Sequence, residues 1–118
     1  MRTAILGASG LVGRTMLRLL EARTWLTDPP RLLVSSRSAG CELPFGDEIL
    51  VCREVSAARL ADLDLVLLSA GGEASRRWSP RIAATGAWAV DNSAAFRQTG
   101  GVPLVVAEIN GDLLAGRQ

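Results

Sequence analysis

Lysine, histidine and tyrosine are all missing from this 118-residue chain, so its 13 basic residues are all arginine. Without histidine the commonest general base is gone, and without lysine the usual Schiff-base amine, which excludes imine chemistry and histidine-run acid–base catalysis from these residues. Acidic residues number 12, leaving a net charge of +1, and such a balance gives no electrostatic footprint for nucleic acid or an anionic membrane. The two cysteines, Cys41 and Cys52, are too few for a disulfide framework or a cysteine zinc site. Both fall in the apolar stretch between Gly40 and Glu54 and read as small core or strand residues in a reducing compartment. No apolar run approaches the roughly 18 residues of a membrane span. The glycines between positions 7 and 13 also interrupt any signal-peptide core. A cytoplasmic protein is the expectation.

What is present is a globular composition, 48% hydrophobic and 21% charged, consistent with one domain over residues 1–118. Strand and helix signals alternate along it. "TAILGA" is a short apolar run ending at glycine, and Leu11 to Arg23 then follows a helical period. "TDPP" breaks the chain before a second buried strand, "RLLVSS". "CELPF" and "EILVC", split by Gly46-Asp47, predict a hairpin. "SAARLADL" has room for a helical turn or two, and "DLVLLSA" is the clearest strand, ending at Gly71-Gly72. A helix over Glu73 to Ala84 should follow, closed by Gly86, with Pro80 either kinking it or moving its start. "WAVDNS" and "VPLVVAEI" are further strands, and "NGDLLAGRQ" a short helix. Continuous apolar strands alternating with helices predict an α/β fold, doubly wound: a mostly parallel sheet with helices on both faces.

In such a sheet ligands bind where the strands' carboxyl ends meet a crevice, and "GASGLVG" sits at that edge. Gly7 permits a tight turn, Gly10 lets backbone N–H groups approach a pyrophosphate, and Gly13 lets the helix close on the strand. The spacing G-x-x-G-x-x-G differs from the commoner G-x-G-x-x-G, yet its position between strand and helix makes it a Rossmann-like dinucleotide site. The second strand ends without the carboxylate that usually holds a ribose 2′-hydroxyl. It carries Ser36, Arg37 and Ser38 instead, a set suited to the 2′-phosphate of NADP. Arg97, just past a strand's carboxyl end, suits a phosphate ligand, whereas Asp91 reads as a turn or cap residue rather than a base.

"GASGLVGRTMLRLLEAR", "SSRSAG", "DLVLLSAGGEASR", "AWAVDNSAAFR" and "VPLVVAEIN" resemble, in order and spacing, the N-terminal cofactor domain of aspartate-semialdehyde dehydrogenases. The resemblance implies NADPH-dependent reductive dephosphorylation of L-aspartyl phosphate to the semialdehyde, on the way to Lys, Met and Thr. It implies that Ser9, Gly10, Leu11 and Val12 line the pyrophosphate. By the same likeness Ala70, Gly71 and Gly72 back the ribose and phosphates, Asn92 approaches the nicotinamide, and Arg97 binds the substrate's phosphate. Ala107 stands where the family commonly has proline. The family's cysteine nucleophile, in an Asn-Pro-Asn-Cys-like segment, and its histidine base have no match here, so the chain is expected to be inactive alone. A second, catalytic and dimerising domain, a homo-oligomeric intact protein and an apolar patch around "VPLVVAEI" follow as expectations. The alternatives are the cofactor domain of an N-acetyl-glutamyl-phosphate reductase, which has a similar glycine loop and Ser-Ala-x-Phe-Arg segment, and a stand-alone dinucleotide-binding module.

Overall fold

A computed structural model describes residues 1–26 and 28–91. "VPLVVAEI", "NGDLLAGRQ", Asn92, Arg97 and Ala107 therefore lie outside the described residues. Within them the chain forms β1 (Thr3–Leu6), α1 (Leu11–Leu20), β2 (Arg31–Val34), β3 (Glu42–Phe45), β4 (Glu48–Val51), β5 (Arg53–Glu54), β6 (Leu65–Leu68), α2 (Gly72–Ala84) and β7 (Trp88–Asp91).

Five strands make one sheet in the order β5-β2-β1-β6-β7, every pairing parallel. β1 is central and wholly buried, and alternation of side chains along it feeds two cores. Ala4 and Leu6 join Leu33, Val66 and Leu68 on the face covered by Trp78 and Ile82 of α2. Ile5 joins Leu32 and Val34 on the opposite face, covered by Leu17 and Leu20 of α1. The doubly wound fold is thus present, because strands apolar on both faces can be satisfied only by a helix on each. From β1 the chain winds out to one edge through β2 and β5, then returns to β6 on the other side. That reversal opens a crevice at the strands' carboxyl ends.

The hairpin of β3 and β4 stands apart from this sheet, its turn at Gly46-Asp47 as the sequence predicts. Gly46 donates its N–H to the Glu21 carboxylate at 2.9 Å, which fastens the turn to the end of α1. α1 stops at Leu20 rather than Arg23. Glu21 and Arg23 instead donate their N–H groups three residues back, to Arg18 and Leu20, so the helix tightens as it ends. "SAARLADL" holds one short 3₁₀ turn, Ala58–Leu60. Arg31 clamps it by donating to the Arg59 and Ala61 carbonyls, both at 2.8 Å. β5 has no counterpart in the sequence reading: two exposed polar residues show no period, and only pairing with Leu33 and Val34 makes them a strand.

α2 begins at Gly72 and runs through Pro80 to Ala84, with Gly86 just beyond its end. Pro80 therefore does not delay the helix's start. Being exposed, it leaves the Arg76 carbonyl without its helical N–H donor but buries no clash in the core. Pro80→Ala restores that donor. Set against the unfolded-chain entropy that proline removes, a net gain of about 2 kcal/mol is expected. Thermal melting checks this, and a midpoint that fails to rise would show that the local geometry already absorbs the ring.

Candidate functional site

The loop from β1 into α1 is fixed by its neighbours. Gly7 has φ +90°, a conformation that side chains strain to adopt. Its N–H donates to the Leu33 carbonyl at 2.8 Å. A Cβ there would stand 2.8 Å from both the carbonyl carbon and oxygen of Ser69. Gly7 is glycine, then, because the loop is wedged between the ends of β2 and β6. Gly13 answers to packing too: a Cβ on it would lie 2.2 Å from the Gly7 carbonyl oxygen.

Gly10 is different. It caps α1, its carbonyl accepting the Arg14 N–H at 2.9 Å, and Arg14 also donates its Nε to the Ser9 carbonyl at 2.9 Å. Its φ of −75° and ψ of 171° are open to any residue. A Cβ there would meet nothing nearer than the Gly7 oxygen at 3.5 Å, an ordinary contact. The protein's own packing makes no demand for glycine at this position, and the space it leaves opens into the crevice. No side chain caps α1, and no acidic residue stands in its first turn. Its leading N–H groups and positive dipole end are thus free of internal competition for an anion.

The crevice is a cleft of about 690 Å³ at the carboxyl ends of β1, β2, β5 and β6, within the range of small-ligand sites. Gly7, Ser9, Gly10, Ser36, Arg37 and Ala70 all line it, brought together from three strand ends. Ser36, Arg37 and Ser38 form a single 3₁₀ turn after β2, but Ser38 is not part of the wall. Leu11 and Val12 also fall outside the lining, with Leu11 83% exposed; only backbone N–H groups of that turn can serve the cleft. Gly71 and Gly72, the cap and first residue of α2, and buried Gly13 do not line it either.

Several wall residues escaped the sequence reading. Ala74, Arg77 and Trp78 lie at the i, i+3, i+4 spacing of one helix face, a pattern that could have shown them. Arg77 and Arg81 lie over the Trp78 ring, 5.0 and 5.3 Å from its centre, so two guanidiniums make cation–π contacts with the indole. Glu54 also lines the cleft, delivered by β5 rather than by the end of β2, where a carboxylate was looked for. On the far side, buried Ser75 donates its hydroxyl to the Asp91 carboxylate and shares a 3.2 Å hydrogen bond with Ser79. Asp91 is thus a tie between β7 and α2.

A parallel sheet sheathed on both faces, a glycine turn entering an uncapped helix and a cleft at the switch point define a Rossmann-like dinucleotide-binding class of domain. The chain belongs to the family described as "Semialdehyde dehydrogenase, NAD binding domain", whose model matches residues 2–117. An aspartate-semialdehyde dehydrogenase from Synechocystis is 47% identical over 117 residues, 99% of this chain and 35% of its own length. Another, from Prochlorococcus marinus, is 50% identical over 107 residues, covering 91% of this chain and 31% of the relative. The crystal structure of aspartate semialdehyde dehydrogenase II from Vibrio cholerae, complexed with ASA, superposes with a TM-score of 0.89 at 38% identity. It covers 97% of this chain and 37% of that one. The chain therefore spans about a third of the length of the curated relatives it matches. These relatives do not favour the N-acetyl-glutamyl-phosphate reductase alternative. Among the described residues no helix is long and apolar enough to cross a membrane.

Proposed function

We propose that this chain is the NADP-binding domain, residues 1–118, of an aspartate-semialdehyde dehydrogenase that acts in the cytoplasm as a homo-oligomer. The observation that carries the reading is the empty Cβ position of Gly10 beside the uncapped start of α1, with Arg37 one strand away across the same cleft. A pyrophosphate fits the first feature and a 2′-phosphate the second. Ser9 and Gly10, with the backbone of Leu11 and Val12, hold the pyrophosphate, while Ser36 and Arg37, with Ser38 from the same turn, take the 2′-phosphate. Ala70, Gly71 and Gly72 back the ribose. Asn92 orients the nicotinamide side, and Arg97 receives the phosphate of the acyl-phosphate substrate.

The nicotinamide, when bound, supplies the hydride that reduces L-aspartyl phosphate to the semialdehyde with release of inorganic phosphate. The residues of this chain bind and orient. Its 118 residues hold no histidine, and both cysteines lie at the hairpin, so a further domain completes the reaction and the chain alone turns nothing over.

Glu54 favours a second reading, in which its carboxylate accepts a hydrogen bond from the 2′-hydroxyl of NAD. Calorimetric titration with NADP and NAD, repeated on Arg37→Ala, separates the two. The NADP reading expects tighter binding of NADP and a loss of roughly 30-fold in the variant, about 2 kcal/mol for a charge-assisted phosphate contact, with NAD little changed. Tighter binding of NAD, insensitive to Arg37, would overturn it in favour of Glu54.

A further inference from the structure

Cys41 and Cys52 face each other at the open end of the β3–β4 hairpin, one step beyond the Glu42–Val51 pair. Gly40 donates its N–H to the Cys52 carbonyl at 2.8 Å, and Cys52 donates its own to the Cys41 carbonyl at 2.7 Å. Gly40 has φ +93°. Two residues, Gly40 and Cys41, are thereby set against one, Cys52, which is a G1 bulge. The hairpin register, continued one step past Glu42–Val51, sets Cys41 opposite Cys52, and facing residues of an antiparallel pair carry their side chains on the same face, so the two thiols are neighbours. Antiparallel neighbours have Cα atoms about 4.5 to 5.5 Å apart, inside the span of about 4.4 to 6.8 Å that a disulfide bridges. The sequence expectation of small core or strand residues leaves the two cysteines unpaired; the hairpin register pairs them.

We propose that Cys41 and Cys52 form a vicinal dithiol, a site of reversible modification that a small disulfide such as oxidised glutathione closes into an intrachain bond. The order of events follows from exposure. Cys41 is half-buried and Cys52 fully buried. Burial pushes the Cys52 thiol up to about 12, the adjoining Cys41 adds to that rise, and the Arg14 guanidinium opposes it. Cys41 therefore reacts first: its thiolate attacks one sulfur of oxidised glutathione and releases one glutathione. Cys52, facing it across the hairpin, then attacks the Cys41 sulfur, gives up its proton and releases the second glutathione. Two thiols lose two electrons and two protons, and oxidised glutathione takes up both as two thiols.

The site adjoins the cleft on two sides. Cys41 donates its N–H to the Ser38 carbonyl at 3.3 Å, at the end of the turn that carries Arg37. Cys52 leads directly into β5, whose Glu54 lines the wall. Closing the sulfurs to about 2.05 Å tightens the bulge that joins these two walls. A several-fold change in dinucleotide affinity on oxidation is expected, and this part alone rests on the dinucleotide reading.

The test treats the folded protein with oxidised glutathione, quenches with acid, and reads intact mass and free thiols after denaturation. The expected product is a monomer lighter by two hydrogens, with no free thiol, restored by dithiothreitol. Cys52→Ser should instead trap one glutathione on Cys41, and Cys52→Ala repeats this without placing a hydroxyl in the core. Cys41→Ser should take up none while folded. A stable glutathione adduct on the unsubstituted protein, a disulfide-linked dimer, or two surviving thiols would each overturn the proposal. Because mass and thiol count need no dinucleotide, they decide the dithiol even where the reduced protein fails to bind NADP or NAD. Equal affinity of the reduced and oxidised forms would overturn the coupling to the cleft.

Discussion

Gly13→Ala is expected to lower stability by about 3 kcal/mol, a large share of the roughly 5 to 15 kcal/mol that holds a domain of this size together. The added Cβ would lie 2.2 Å from the Gly7 oxygen, 2.8 Å from the Ala8 Cα and 2.9 Å from the Gly7 carbonyl carbon. All three are backbone atoms, so no side chain can swing aside. Nor can the loop yield, since Gly7 is tied to Leu33 by its N–H and wedged against Ser69. α1 must therefore retreat by roughly 1 Å, which pulls Leu17 and Leu20 off Ile5, Leu32 and Val34. Alanine's better helix propensity returns about 1 kcal/mol and does not offset a repacked face. Urea unfolding checks the outcome. A midpoint equal to that of the unsubstituted protein would mean that the helix and loop are not in the close contact described.

How far the sequence alone leads can be followed element by element. "TAIL", "RLLV" and "DLVLL" are legible because a strand buried on both faces must be apolar throughout, and β1, β2 and β6 are such strands. The hairpin is legible in Gly46-Asp47, a local turn signal. β5 is not, because Arg53 and Glu54 become a strand only through a neighbour twenty residues back in the chain, and that pairing is tertiary. The same limit divides the candidate site. Gly7, Gly10, Ser36 and Arg37 announce themselves because a βα turn and the next strand's end are close in sequence. Glu54 reaches the cleft by strand order, which no local pattern encodes, whereas Trp78 shares a helix-face spacing with Ala74 and Arg77 that the sequence does carry. The facing of Cys41 and Cys52, by contrast, follows from the Gly46-Asp47 turn, whose register sets Phe45 on Glu48 and so Cys41 opposite Cys52.

Gly10→Ala should show the opposite behaviour to Gly13→Ala: a fold left intact and a cofactor lost. The nearest contact of the new Cβ is an ordinary 3.5 Å, and the backbone angles suit alanine. Alanine is a poorer helix cap than glycine, but it also restricts the unfolded chain, so the two terms leave stability within about 1 kcal/mol. The methyl group does occupy the approach to the first N–H groups of α1. A pyrophosphate held there must back away and lose contacts made to a helix terminus. A loss of about 100-fold in NADP affinity, close to 2.7 kcal/mol, is the expected result by calorimetric titration. NAD should suffer equally, because both cofactors share the pyrophosphate, which separates this effect from that of Arg37. Undiminished affinity in a folded variant would show that the anion does not sit over Gly10. Gly7 and Gly13 would then be explained by packing alone, and the glycine triplet would be a turn that happens to border a cleft.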